Sequence, residues 1–561
     1  MSSTATTSNQ PPTNPLVTAL LTDLYQITMT YAHWKIGKHN DDATFELFFR
    51  KPPFQGQFTV FAGLDECLKH ISSFSFSESD IAYLKQSPAL AHCEEGYFEY
   101  LQNLTTQALT VRALPEGTIC FPRVPLLILK GPLGIGQLLE TTLLNLVNFP
   151  SLLATNAARM VLRAGGAPCI EFGLRRAQGP DGALTASKYS FVGGFTATSN
   201  VQAGKLFDIP IAGTHAHAYV QAFVSLDEVK DLTLHHKGEQ QNDDDKPFLE
   251  TVLKYRKQES SSSMNTATND GELAAFVAYA CAFPEACLCL VDTYDTLHSG
   301  IPNFCFVAMA LHDFGYQAKG VRLDSGNLAE LSSASKAIFQ DFAARYPDKA
   351  AVFDAPTIIV SNDINEKVLV SLTEHEHAIT AYGIGTNLVT CQAQPALGCV
   401  YKLVLWNGKP RIKLSQDLPK MTIPGEKRVY RLYESYTGED GIGEAVRPVC
   451  DLMTGVDESA PEAGEQVICR DPFQADQQTT ITPVLVVELH KKVFDRGVAD
   501  QDTMAVSLKE TKAYVQEQLQ TIPTSITRYN DPEKYPVYVS PALYDYLHSL
   551  REQEMVKLQE K

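Results

Sequence analysis

Short apolar runs, CIEF, FVGGF, PIAGT, CLCLVD, AKGVRLD, TIIVSND and AYGIGT, recur between about Leu139 and Thr386, each separated from the next by a helix-like segment. Strands interleaved with helices imply a parallel sheet, because two strands running the same way need a crossover long enough to hold a helix. The seven runs are enough to curl into a barrel. Polar or charged residues follow each of them: Arg175–Arg176, Thr196–Ser199, His215–His217, Asp292–Thr293–Asp295, Arg322–Asp324–Ser325, Asn362–Asp363 and Thr386–Asn387. In an α/β barrel the chemistry sits at the C-terminal ends of the strands, which makes these groups the candidate site.

Each group also has a plainer reading. Gly213–Thr214–His215–Ala216–His217 puts two imidazoles on one face if it is a strand, and so admits a metal. Only two ligands are local, and histidine is also a nucleophile or general base, so a catalytic role for one of the two is preferred. Spacing does not say which. Glu374–His375–Glu376–His377 reads as solvated surface. Arg175, Arg176 and Arg322 offer forked bonds to a carboxylate or phosphate, against ion pairing with Glu171 or Asp324. Three arginines around one mouth favour an anionic substrate. Gly383-x-Gly385-Thr386 follows a strand, where backbone amides near a helix start can cradle phosphate. Asp292, Asp295 and Asp324 can hold ribose hydroxyls or magnesium through oxygen, or simply cap helices.

The remaining chain reads as a disordered lead at residues 1–14, an α/β domain at 15–140, the barrel at 141–395 and a C-terminal segment at 396–561. Thr22 or Asp23 caps a helix that stops at Gly37, with Leu24, Ile27 and Tyr31 turned to a core and Tyr25 beside them. Ala43–Arg50 alternates as a half-buried strand. Val400–Trp406, Asn407–Gly408 and Pro410–Ser415 form a hairpin with a type I′ turn. Lys427–Leu432 adds a strand expected to join the N-terminal ones, and helices follow at Met504–Leu519 and Pro541–Gln559. Leu273–Val291 is apolar but interrupted at Pro284–Glu285, which predicts a buried helix, a turn and a buried strand rather than a membrane span. Lys237–Gly271 is polar and of low complexity, an expected mobile insertion in the barrel. A net charge of −18 excludes a general nucleic-acid binder, and twelve dispersed cysteines suit a reducing compartment.

Taken together, LLTDLYQITM, EFGLRRAQGPDGALTASKYSFVGGF running into TATSN, GTHAH, VDTYDT, GVRLDSGNL, SNDINE, and YGIGTNLVTC with QPALGCVYKLV resemble the nicotinate phosphoribosyltransferase family. The likeness extends from about Asn14 to the C-terminal helices, leaving out the polar insertion. It implies an irregular α/β barrel beside a discontinuous α/β sandwich domain built from both chain ends, and a cytosolic homodimer, with a nuclear pool allowed, whose active sites share residues. The implied reaction joins nicotinate to phosphoribosyl pyrophosphate, with Mg2+ or Mn2+ as cofactor and ATP as co-substrate. The G-T-x-x-H pattern makes His217 the phosphorylated histidine. By motif, Tyr25 stacks on the pyridine ring across the dimer, and Thr214 and Arg322 contact nicotinate. Arg175 faces the phosphoribosyl donor or the pyridine acid, and Gly385, Thr386 and Asp324 attend the donor, Asp324 through ribose or magnesium. A nicotinamide-using relative is the nearest alternative, and two arginines argue against it because the amide carries no charge. Quinolinate would call for more basic groups. A binder without turnover would have lost the histidine or the loop threonine, and both are present.

Overall fold

A computed structural model describes residues 11–238, 247–260, 268–414, 420–437, 444–474 and 476–559. Two compact units divide them. One holds the chain up to Asn156 and from Ala393 onward, with Val192–Gly194; the other holds Ala157–Phe191 and Phe195–Gln392.

The second unit is a parallel α/β assembly. From Ile211 its sheet runs to Ala197–Thr198, Cys169–Glu171, Ala381–Ile384, Thr357–Val360, Gly320–Leu323 and Leu288–Leu290, every pair parallel. Read around the sheet, these runs follow chain order, as in an α/β barrel. Among the described residues no ladder joins Ile211 to Leu288–Leu290. A side chain spans that seam instead: the Leu290 N–H donates to His215 Nε2 at 3.2 Å.

Six of the expected runs supply their pairing segments, and FVGGF does not. Phe191 and Val192 finish the helix Gly179–Val192, and that unit's strand is Ala197–Thr198. A short apolar run suits a buried helix face as well as a strand, and Gly194 at φ +118° ends the helix before the strand begins. The span at 273–291 folds as expected, into the helix Asp270–Ala282 and the strand Leu288–Leu290. No helix among the described residues is long and apolar enough to cross a membrane. Within the polar insertion, residues 239–246 and 261–267 lie outside the described residues. Between them Phe248–Ser260 is a helix, because Phe248, Val252 and Tyr255 recur at helical spacing and are buried.

The first unit carries an antiparallel sheet ordered Lys409–Pro410, Cys399–Trp406, Asp42–Phe49, Leu127–Pro132, Thr110–Ala113, Lys491–Asp495 and Val498–Ala499, so strands from both chain ends share it. Asn407 and Gly408, at φ +48° and +69°, make the expected primed turn. The strand Asp42–Phe49 is buried on both faces rather than half-buried. Its alternating polar positions go inward because Glu46 is paired there with Lys427 at 3.0 Å. The strand of that lysine, Lys427–Thr437, belongs to a separate six-stranded sheet with Glu444–Gly455 at its centre, not to the N-terminal one.

At the N-terminus, residues 1–10 of the expected disordered lead lie outside the described residues. Thr13 is held by Glu66, which accepts its backbone N–H at 2.8 Å and its hydroxyl at 2.6 Å. The first helix is Leu24–Lys35, with Asp23 at its start and Gln26, Ile27 and Thr30 buried. Leu24 faces outward instead, 51% exposed, and Tyr25 beside it is 47% exposed. The expected helix at Met504–Leu519 is two, Gln501–Ala505 and Leu508–Thr521, because Ser507 and Glu510 form a capping box that starts the second. The tail ends in the helix Pro541–Gln559.

Candidate active site

The two histidines part company at once. His215–Ala216–His217 is not a strand: His217 opens the five-residue helix His217–Gln221, so the rings do not share a face. The His215 ring is buried among Tyr219, Tyr279 and Phe276 while its Nε2 accepts from Leu290. Burial pulls its pKa down to about 4, with further lowering from Arg322 and His217. A neutral ring is the form that can accept that hydrogen bond. His217 instead stays half-buried, its Nδ1 at 3.1 Å from Thr293 Oγ1 and its Nε2 at 3.6 Å from Asp324 Oδ2.

Arg322 and Asp324 come from the end of one strand, Gly320–Leu323, and are locked together. Arg322 Nη2 donates to Asp324 Oδ1 at 3.2 Å, and Nε donates to Ser361 Oγ at 2.8 Å. Its guanidinium lies over the Phe172 ring, 5.2 Å from the centroid. Nη1 has no hydrogen-bond partner among the described residues. The phenyl ring is pinned in turn by Gly383, where a Cβ would fall 2.5 Å from it. Behind Asp324, Asp292 Oδ2 accepts the Asp324 N–H at 2.8 Å and the Ser325 hydroxyl at 2.6 Å. Asp292 Oδ1 and Thr214 Oγ1 are buried with no hydrogen-bond partner among the described residues. An arginine held on two sides with one end open is what a site for a small anion requires.

Against this geometry stand three sequence profiles. They describe the nicotinate phosphoribosyltransferase (NAPRTase) N-terminal domain, family and C-terminal domain, and they match residues 20–148, 168–440 and 426–547. Nicotinate phosphoribosyltransferase 2 of Arabidopsis thaliana is 48% identical over 543 residues, covering 96% of this chain and 95% of its own. The chain belongs to the nicotinate phosphoribosyltransferase family. The Homo sapiens nicotinate phosphoribosyltransferase is 40% identical over 537 residues, 95% of this chain and 96% of its own. The crystal structure of human nicotinic acid phosphoribosyltransferase matches with a TM-score of 0.81 at 39% identity, covering 94% of this chain and 99% of that one. A nicotinate-nucleotide pyrophosphorylase from Pyrococcus furiosus, at TM-score 0.54 and 18% identity, shares the fold.

For this family member, Thr214 and His217 follow Ile211, Arg322 and Asp324 sit at the end of Gly320–Leu323, and the two segments meet where His217 Nε2 faces Asp324 Oδ2. Arg175 and Arg176 sit on the exposed turn Leu174–Arg176. Neither is paired with Glu171, whose carboxylate is taken by Ser187 Oγ at 2.9 Å, Thr198 Oγ1 at 2.5 Å and the Gly173 N–H. The alternative of structural pairing therefore fails for those two arginines and holds for Arg322 with Asp324. Gly385 precedes the short helix Thr386–Val389, at the end of the strand beside Cys169–Glu171. Tyr25 belongs to the first unit. His375 and Glu376 are exposed, as expected. Ser361 and Phe172 carry no sequence signal of their own for a place beside Arg322. Each directly adjoins a noted feature, Asn362–Asp363 and Glu171, but no local pattern links either one to Arg322. Among the described residues no group of three or more His, Cys, Asp or Glu side chains could hold a metal by itself.

Proposed function

We propose that the chain transfers the phosphoribosyl group of 5-phosphoribosyl 1-pyrophosphate to nicotinate, giving nicotinate mononucleotide and pyrophosphate, with coupled ATP hydrolysis through phosphate carried on His217. Its place would be the salvage of nicotinate into NAD, in the cytosol. The observation that carries the reading is Arg322, fixed by Ser361, Asp324 and Phe172 with Nη1 unpaired. That open end suits the pyridine carboxylate, and the Thr214 hydroxyl, buried without a hydrogen-bond partner among the described residues of the same unit, is an uncommitted polar atom.

In the reaction the pyridine nitrogen forms a bond to the ribose anomeric carbon while the bond to pyrophosphate breaks, the electron pair leaving with pyrophosphate. The transition state resembles an oxocarbenium ion, so the protein's part is to align both partners and balance the leaving charge, not to attack the sugar. Arg175 and the Gly385–Thr386 turn would hold the donor's phosphates. Mg2+ or Mn2+ suits a site with few carboxylates, since such ions keep waters and share substrate phosphates. The unmatched Asp292 Oδ1 and the neighbouring Asp324 are the oxygens that would hold it. When bound, the ion would neutralise part of the pyrophosphate charge.

His217 is oriented from both sides by Thr293 and Asp324 and is partly open to solvent, which suits an imidazole that accepts a phosphoryl group from ATP and is later dephosphorylated by water. A phosphate there adds charge and acceptor oxygens beside the site. Tyr25 is exposed, as are Leu16, Leu21 and Leu24 in the same stretch of chain, and these exposed apolar side chains support a homodimer in which Tyr25 reaches the site of the second copy.

Pyrophosphate release from the purified chain tests this, with magnesium, phosphoribosyl pyrophosphate, and nicotinate or nicotinamide, with and without ATP. Release with nicotinate, raised by ATP, is expected. His217→Ala should keep the fold and lose the ATP-driven increment. Release with nicotinamide alone would reassign the substrate, and none with either would leave a binding protein.

A further inference from the structure

The buried helix Asp270–Ala282 carries a carboxylate that the reaction scheme does not use. Glu272 is fully buried, and among the described residues it has no cationic partner. Ser299 Oγ donates to its Oε2 at 2.6 Å and Asn303 Nδ2 donates to the same oxygen at 3.1 Å. The start of the helix closes the cluster: the Asn269 N–H donates to Ser299 Oγ at 2.9 Å, and Asn303 Nδ2 reaches Asn269 O at 3.2 Å. Oε1 of Glu272 remains unmatched.

Ser299 lies in the π-turn Thr296–Gly300. Single π-turns are uncommon and gather at functional sites. This one is capped by Asp295, whose Oδ1 accepts from the N–H groups of Leu297 at 3.1 Å and His298 at 2.8 Å. It is pressed against the strand end, for a Cβ on Gly300 would fall 1.9 Å from Val291 O. Asp292 and Thr293 come next in the chain. The same helix also grips the histidine segment. Tyr219 donates its hydroxyl to Ala275 O at 3.2 Å, and a Cβ on Gly271 would fall 2.2 Å from Phe223 O. The two segments so held meet where His217 Nδ1 faces Thr293 Oγ1 at 3.1 Å.

We propose that Glu272 is a positioning residue for His217, holding the π-turn through Ser299 so that Thr293 stays in register with the imidazole. The proposal rests on the reading of His217 as the phosphorylated residue. Burial pushes the Glu272 carboxyl up to about 7, the neighbouring Asp292 and Asp295 carboxylates push the same way, and the Ser299 and Asn303 hydrogen bonds oppose. Those two aspartates and the Cys289 thiol on the adjacent strand are the ionisable groups that face it.

The test uses the full chain as wild type, Glu272→Ala, Glu272→Gln and Ser299→Ala. It reads the ring resonances of isotopically labelled His217 together with ATP-stimulated kcat and KM across pH. Glu272→Ala and Ser299→Ala should move the His217 resonances and lower that kcat about tenfold, the scale of a small misplacement, with KM for nicotinate changed under about twofold. Glu272→Gln should restore the resonances and the rate near neutral pH, and should remove an ionisation near 7 from the profile. Unmoved resonances and a superimposable pH profile in the variants, with only the melting temperature lowered, would overturn the proposal. If Glu272→Ala does not fold, Glu272→Gln and Ser299→Ala decide alone. If the wild type lacks ATP-stimulated turnover, the proposed function fails, while the His217 resonances still answer whether Glu272 positions that ring.

Discussion

Two sets of charged side chains, one in each unit, meet different fates. In the first, Lys427 and Glu46 lie 3.0 Å apart with 1% and 2% of their side chains exposed, and Lys427 also donates to Ile423 O and Gly425 O. Burial pushes the Glu46 carboxyl up and the Lys427 ammonium down, and each opposes the other's shift. Arg431 and Asp451 form a bidentate pair at 2.8 and 3.0 Å, roofed by the stacked rings of Phe121 and Tyr535. In the second unit, Arg322, Asp324 and His217 keep 15%, 28% and 39% of their side chains exposed. They are tied down on one side, and Asp292 Oδ1 behind Asp324 has no partner among the described residues. Charge that builds architecture is enclosed with its partner. Charge available for chemistry is oriented from behind and left incomplete in front.

The comparison breaks if the enclosed pairs prove dispensable. Lys427→Met leaves Glu46 buried and alone, so unfolding by urea should show a loss of about 3–5 kcal/mol, and a Glu46→Leu/Lys427→Met double variant should recover most of it. Turnover per folded molecule should not change. The converse holds at the site. Arg322→Ala should lower kcat/KM for nicotinate about 100-fold or more, since a site built to bond a carboxylate loses that bond outright. Its loss of unfolding free energy should be smaller than that of Lys427→Met, since Asp324 left behind keeps 28% of its side chain exposed whereas Glu46 keeps 2%. A large stability loss with intact nicotinate kinetics would erase the distinction.

Two buried groups near the site sharpen it through pH, with opposite signs. Unfolded His215 takes a proton near 6.5 and the folded ring resists until about 4, so its contribution to stability falls as pH drops through that window. Glu272 runs the other way. Its folded value of about 7 lies above the unfolded 4.5, so stability falls as pH rises between them. Each is worth about 3 kcal/mol at full extent. Denaturant titrations at stepped pH should therefore show a flatter acid limb for His215→Gln and a flatter approach to neutrality for Glu272→Gln. The smallest effect belongs to His375→Ala on the exposed Glu374–Glu376 surface, expected within about 0.5 kcal/mol and without consequence for turnover.

Much of this is legible in the sequence alone. The apolar runs marked the strand ends that carry Thr214, His217, Arg322 and Asp324, because an alternation of strand and helix is written in the local pattern. Asn407–Gly408 announced its turn for the same reason, since both residues tolerate positive φ. Other features were hidden. Glu46 looked like the wet side of a half-buried strand, and only Lys427, from the far end of the chain, makes it a core residue. Leu24 fitted a core stripe and faces outward, and helical spacing alone does not decide which arc of a helix is covered.

The chain by itself thus determined the order of strands and helices, the residue types at the strand ends, and the family to which the motifs point. Tertiary structure decided which histidine closes the seam and which stays open, what holds Arg322, and that a glutamate from a buried helix steadies the turn beside His217. The physical reason is range. Periodicity and turn chemistry record neighbours a few residues apart, whereas His217 meets Thr293 across 76 positions, and such a meeting exists only once the parallel strands have paired.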